Sequence, residues 1–283
     1  HKSFFSSYQY QNNINKFNTQ LVLLDTLINA YEKQAVKGNI PLKDVIRLKS
    51  VYLKVNNERA QYLQLLTEEQ KNLALLTQLK GIIIPVVSNE YLDNCTKQIR
   101  LDEIETTAFS KRPDLIINNK MVQISELSYK LQKRNVIPDP TINVSTDQRG
   151  GAFKNQINAG LYMPLPIWNQ NRGNIKAAKS DVSLNSYLFE ERKMEIKAEV
   201  FEAFQNMQRS VNEYQKSKQM YNSNFDFVFK SVNENFSKKN LSIIEFVDFF
   251  EAYNDALQEF ERIKSQIAIN AANINYVSGT KIY

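Results

Sequence analysis

The chain has 283 residues, with 36 Lys and Arg against 30 Asp and Glu for a formal charge of +6. That is long enough for one or two domains with a real core, and no block of like charge marks a nucleic-acid-binding stripe. Seven glycines and seven prolines are about 5% of the chain against a usual share near 12%. Few tight turns can therefore close, which argues against sandwiches, propellers and doubly wound α/β folds and for a mainly α protein. The single cysteine, Cys95, and the single histidine, His1, exclude an intramolecular disulfide, a Cys-based zinc site, an HExxH motif and a Ser-His-Asp triad. Neither enzyme activity nor a cofactor or metal is expected. The longest apolar run, Ile82–Val87 with Pro85 inside it, is far short of the ~18–20 residues of a transmembrane helix.

Taken in chain order, the glycines and prolines punctuate long breaker-free blocks. Residues 1–37 and 42–80 flank a turn at Gly38 and Pro41, so 1–81 reads as an antiparallel helical hairpin. Its second arm repeats Val45, Leu48, Tyr52, Val55, Arg59, Tyr62, Leu66, Glu69, Leu73 and Leu76 at coiled-coil spacing. A mixed linker follows at 82–112. Arg112-Pro113-Asp114-Leu115 then opens a helix, because Pro suits the first helical position and an acid behind it complements the helix dipole.

Residues 140–166 hold most of the remaining punctuation and read as a β-hairpin around Gly150-Gly151. Alternation puts Ile142, Val144, Ile157, Ala159, Leu161 and Met163 on one face, and Asn143, Ser145, Asp147, Gln156 and Asn158 on the other. A transmembrane barrel strand reads this way, with lipid outside and water inside; on pattern alone, so does a soluble hairpin covering a helix. Tyr162 and Trp168 stand at one end of the strand pair, as interfacial aromatics would.

The block 174–278 has no breaker at all. A polar stretch at 237–242 divides it into one helix over about 174–236, roughly 95 Å long, and a return helix over about 243–277. Ser242 with Glu245 makes a capping box for the second. The seam of the first is Met207, Val211, Tyr214, Lys218, Tyr221, Phe225, Val228 and Val232. That of the second is Phe246, Phe250, Tyr253, Leu257, Phe260, Lys264, Ile267, Ala271 and Ile274. Residues 37–45 align without a gap onto 238–246, so the helical hairpins read as an internal duplication offset by 201 residues.

Three ordered signatures carry a resemblance: Arg112-Pro113-Asp114-Leu115, then Pro164-Leu165-Pro166-Ile167-Trp168-Asn169-Gln170-Asn171-Arg172-Gly173, and the duplicated turns. Together, over residues of about 20–278, they resemble the TolC-type outer-membrane efflux factors, particularly the branch serving heavy-metal and multidrug tripartite pumps. The resemblance implies long coiled-coil helical hairpins in two repeats and a transmembrane-type β-hairpin, with three copies forming one α/β barrel. On that scheme 1–81 is an incomplete first repeat, 82–112 an equatorial linker and 113–283 a second repeat, with β-hairpin 140–166 and helical hairpin 174–277. The chain is then expected to be a portion of a longer protein.

The implied function is passive conduction across the outer membrane, with a periplasmic extension, in a Gram-negative bacterium. The implied partners are a periplasmic adaptor, an inner-membrane pump, outer-membrane lipid around the β-hairpin and two further copies of the chain. The turns Gly38-Asn39-Ile40 and Lys239-Asn240-Leu241 would contact the adaptor, and Asp44, Glu245 and Asp248 would form the constriction. Pro164, Pro166, Asn171, Arg172 and Gly173 belong with residues 112–115 to the family motif. A soluble coiled-coil scaffold is the alternative; it accounts for the heptads but not for a one-faced hairpin between two helix starts.

Overall fold

The computed structural model describes residues 1–79, 81–147, 156–164, 167, 170–221 and 223–283. The expected Gly150-Gly151 turn lies outside these residues, as do Leu165, Pro166, Trp168 and Asn169. In chain order the elements are α1 (Lys2–Val36), α2 (Leu42–Thr77), α3 (Asn89–Asn94), α4 (Leu101–Lys111) and α5 (Pro113–Arg134). Strands β1 (Thr141–Asp147) and β2 (Gln156–Tyr162) follow, then α6 (Arg172–Met220), α7 (Ser223–Ser237) and α8 (Ile243–Ser278). Two units divide the chain, one of His1–Ile104 with Val200–Tyr283 and one of Glu105–Glu199.

In the first unit, α1 and α2 form one antiparallel hairpin and α7 and α8 another, and α1 also packs along α8. The seam of α8 is buried as its spacing requires, from Phe246 to Ile274. Lys264 is the polar member and pairs with Glu261 at 3.1 Å. One hydrophobic cluster joins all four helices through Phe17, Leu24, Leu48, Phe236, Phe246 and Phe250, each Phe contributing roughly 1.5–3 kcal/mol through burial. Aromatic rings continue it: Phe236 stacks on Phe246 at 4.0 Å, Phe229 on Tyr253 at 4.0 Å and Tyr221 on Phe260 at 4.4 Å.

Two expectations about the helices are corrected. The single helix over 174–236 is two helices, α6 ending at Met220 and α7 beginning at Ser223; the sequence there reads Asn222-Ser223-Asn224, three poor helix formers in a row. The seam continues across the interruption, with Phe225 stacked on Tyr253 and Val232 packed against the cluster, but one position differs. Val228, expected inside, is 43% exposed, and Phe229 takes its place against Phe250 and Tyr253. Leu76, placed at the end of the α2 seam by spacing, is exposed as well, because the packed part of that seam ends at Leu73.

In the second unit, β1 and β2 pair antiparallel with Ile142 opposite Leu161, Val144 opposite Ala159 and Thr146 opposite Ile157. This register collects the apolar side chains on one face and Asn143, Ser145, Asn158 and Gly160 on the other. Tyr162 pairs with Thr141 at the strand end and by alternation shares the polar face. Every residue of β2 is exposed.

Candidate functional site

The turns between α1 and α2 and between α7 and α8 are built alike. Gly38 has φ 76° and Lys239, its counterpart at the 201-residue offset, has φ 62°. The Gly38 N–H donates to Ala35 O at 2.9 Å and the Asn39 N–H to Gln34 O at 3.0 Å. The matching bonds run from Lys239 to Phe236 O at 3.0 Å and from Asn240 to Asn235 O at 2.9 Å. Each is a complete Schellman closure with a left-handed residue after the helix. The side chains repeat it, Asn39 donating to Gln34 and Asn240 to Asn235. Gly38, Asn39, Lys239 and Asn240 are exposed, while Ile40 and Leu241 are half-buried. Both turns lie at one end of the four-helix arrangement: Tyr31 of α1 stacks on Phe236 of α7, which stacks on Phe246 of α8.

The three acids start the returning helices. Asp44 and Glu245 are the third residues of α2 and α8, equivalent places in the two repeats. Asp44 is half-buried, and its negative charge helps raise the pKa of Tyr31, an increase that burial dominates. Glu245 closes the expected capping box: Ser242 N–H donates to its Oε2 at 2.9 Å, and its own N–H donates to Ser242 Oγ at 3.3 Å. The Ser242 hydroxyl, at 2.7 Å, holds the Glu245 carboxyl below its ordinary pKa. Asp248 is exposed three residues further on.

Two further acids continue the row. Glu245, Asp248, Ala252, Asp255 and Glu259 recur at spacings of three and four and are all exposed, opposite the buried seam of α8. Heptad spacing of acids was the available signal for Asp255 and Glu259. Beside the row, Lys54 of α2 pairs with Glu251 at 3.0 Å. Burial raises the pKa of neighbouring Glu58, with Asp255 and Glu251 adding to the rise and Lys54 opposing it. Among the described residues no group of three or more His, Cys, Asp or Glu could hold a metal ion.

No family model and no curated protein sequence matches the chain. Solved structures do. The structure of CusC, a protein that forms a transmembrane channel, superposes with a TM-score of 0.78 at 15% identity over 99% of this chain and 67% of that one. The CmeC outer-membrane channel of Campylobacter jejuni gives 0.75 at 13%, over 98% and 61%. The outer-membrane protein VceC of Vibrio cholerae gives 0.72 at 12%, over 99% and 69%. The fold is that of the TolC-type outer-membrane channels. The chain spans about two thirds of the length of these three structures.

Within this TolC-like fold, the residues around Arg112-Pro113 and Asn171 hold the second unit together. Arg112 precedes Pro113 at the start of α5 and is 5% exposed. Its guanidinium donates from Nε to Asp114 Oδ1 at 3.1 Å and from Nη2 to Asp114 Oδ2 at 2.6 Å, and Nη1 donates to Glu199 of α6 at 2.5 Å. Arg192 of α6 donates to the same Asp114 Oδ2 at 3.0 and 2.7 Å. Hydrogen bonds from Arg112 and then Arg192 hold the Asp114 carboxyl well below the usual carboxylate range. Leu115 is buried beneath. At the other end of α5, Asn171 has φ 54° and its amide donates to Gln132 O and Oε1, both at 2.9 Å. Its carbonyl accepts the first bond of α6 from the Ile175 N–H at 3.0 Å. Pro164, Arg172 and Gly173 are exposed. Arg112 and Asp114 stand out in the sequence beside Pro113, whereas Arg192 and Glu199 do not, because they lie in a helix dense with ordinary surface charges.

Proposed function

We propose that the chain belongs to the outer-membrane channel of a tripartite efflux system, which passively conducts what an inner-membrane pump exports through a periplasmic adaptor. The observation that carries this reading is the pair of matched turns at one end of the helices, each followed by an acid at the same helical position. Gly38, Asn39, Ile40, Lys239, Asn240 and Leu241 meet the adaptor there, and Asp44, Glu245 and Asp248 constrict the aperture. Three copies of such acids around a threefold axis bring like charges together, which favours cations and makes the aperture sensitive to divalent ions.

No helix among the described residues is long and apolar enough to cross a membrane. Membrane contact falls instead to the hairpin, whose Ile142, Val144, Ile157 and Leu161 are all exposed on one face. Two strands alone are only marginally stable, so they need neighbours, and three copies supply them. Exposed Ile117, Met121, Ile124 and Leu131 along α5 are the kind of apolar stripe that a neighbouring copy covers.

The test is fractionation of the full-length protein from its Gram-negative host, followed by light scattering in detergent. An outer-membrane trimer is the expected result. A stable monomer, or a protein found only in the soluble fraction, would overturn the reading and favour the scaffold.

A further inference from the structure

Each pair of helices within a repeat has its register fixed by covalent chemistry. A closure of a few residues joins α1 to α2, and its counterpart joins α7 to α8. The contact between repeats, α1 against α8, has no such tie. Its apolar residues alone specify register weakly, because a heptad seam slipped by one repeat still meets apolar side chains.

That untied seam carries buried polar pairs. Glu261 of α8 is 3% exposed. It accepts from Asn12 Nδ2 of α1 at 3.0 Å, from Lys16 Nζ of α1 at 3.0 Å and from Lys264 Nζ at 3.1 Å. Two turns nearer the closures, buried Gln20 of α1 donates to buried Asn254 of α8. Ser265 Oγ donates to Phe5 O at 3.0 Å on the other side. The layer is not fully satisfied: Gln20 Oε1 is buried with no hydrogen-bond partner among the described residues. Such groups add little net stability, yet a shifted register would leave more of them unpaired.

We propose that the layer of Lys16, Gln20, Asn254 and Glu261 is a register pin that sets how far the first helical hairpin stands along the second. Slipping α1 by one heptad would move Lys16 and Asn12 about 10 Å from Glu261 and leave that buried carboxylate with Lys264 of its own helix as its remaining named partner. The same pin brings the two closures level, so that Tyr31 meets Phe236 and Asp44 and Glu245 start their helices at one height. The inference concerns packing within one copy and holds whether or not the protein conducts.

The experiment uses pulsed electron spin resonance on the full-length protein, with nitroxides at Asn39→Cys and Asn240→Cys on the exposed closures and labelled copies diluted into unlabelled ones. The parent should give one narrow distance within a copy. Replacing the pin with Lys16→Leu, Gln20→Leu, Asn254→Leu and Glu261→Leu should keep the helicity but add a second distance, displaced by about 5–10 Å. The milder Gln20→Leu, Asn254→Leu variant should show a smaller second population. The exposed pair variant Lys54→Leu, Glu251→Leu should keep one distance. A single unchanged distance in the folded four-site variant would overturn the proposal. So would loss of helicity in both pin variants, which would make the layer a source of stability rather than of register.

Discussion

Asp114 shows what one carboxylate does in the second unit. It stands between Arg112 and Arg192 and ties the start of α5 to the middle of α6. Removing it leaves the buried Arg112 guanidinium with Glu199 as its remaining named partner, so Asp114→Ala should lower stability by roughly 2–3 kcal/mol. That is less than the ~3–5 kcal/mol of a fully buried pair, because Asp114 is about a third exposed. Its carboxyl titrates below the ordinary value near 3.9, so its contribution is fully present above pH ~4 and fades as pH falls through the folded-state value. Denaturant melts of Asp114→Asn and the parent should accordingly differ most above pH 4 and converge in stronger acid. Lys239 is the opposite case, a side chain held at φ 62° where L residues pay about 1–2 kcal/mol. Against Gly's extra unfolded-state freedom of roughly 0.5–1 kcal/mol, Lys239→Gly should raise stability by up to about 1 kcal/mol. Thermal unfolding will show whether the melting point rises or falls.

Among the elements, the breaker pattern made the helices legible because helix length here depends on where Gly and Pro allow a reversal. Gly38 and Pro41 marked one closure, and the Ser242–Glu245 capping box marked the other. The break after Met220 was not legible, since no Gly or Pro stands there and heptad spacing continues across it. Only packing shows that Phe229, and not Val228, meets Tyr253. Glu261 escaped for a related reason: beside the seam residue Phe260 it reads as a solvated acid, and only the approach of α1 buries it. The ring stack makes the closure end testable. Phe246 is fully buried between Phe236 and Phe250, so Phe246→Ala should cost about 3–5 kcal/mol, whereas Phe227→Ala, at an exposed position, should stay within ~0.5 kcal/mol. Urea melts of the two variants make the comparison. For the hairpin, the proposed lipid face predicts that Ile157→Arg impairs outer-membrane insertion by roughly 2–4 kcal/mol at mid-depth. Asn158→Arg on the other face should be tolerated. The membrane-inserted fraction of each variant after expression is the measurement.

At the scale of the whole molecule, the two repeats share their closures but not their exposed faces. The face of α8 carries Glu245, Asp248, Asp255 and Glu259 in one row, while α2 offers Lys54 and Glu58 beside it. In three copies around one axis such a row would surround a passage with negative charge from the closures inward, and like charges at that spacing must be offset by bound cations. The most direct measurement is planar-bilayer conductance of the full-length protein and of its Glu245→Ala, Asp248→Ala variant. The parent should show discrete cation-selective conductance that divalent cations block, and the variant should show both selectivity and block weakened. A parent that forms no conductance, or a variant with selectivity and block unchanged, would contradict the proposed function.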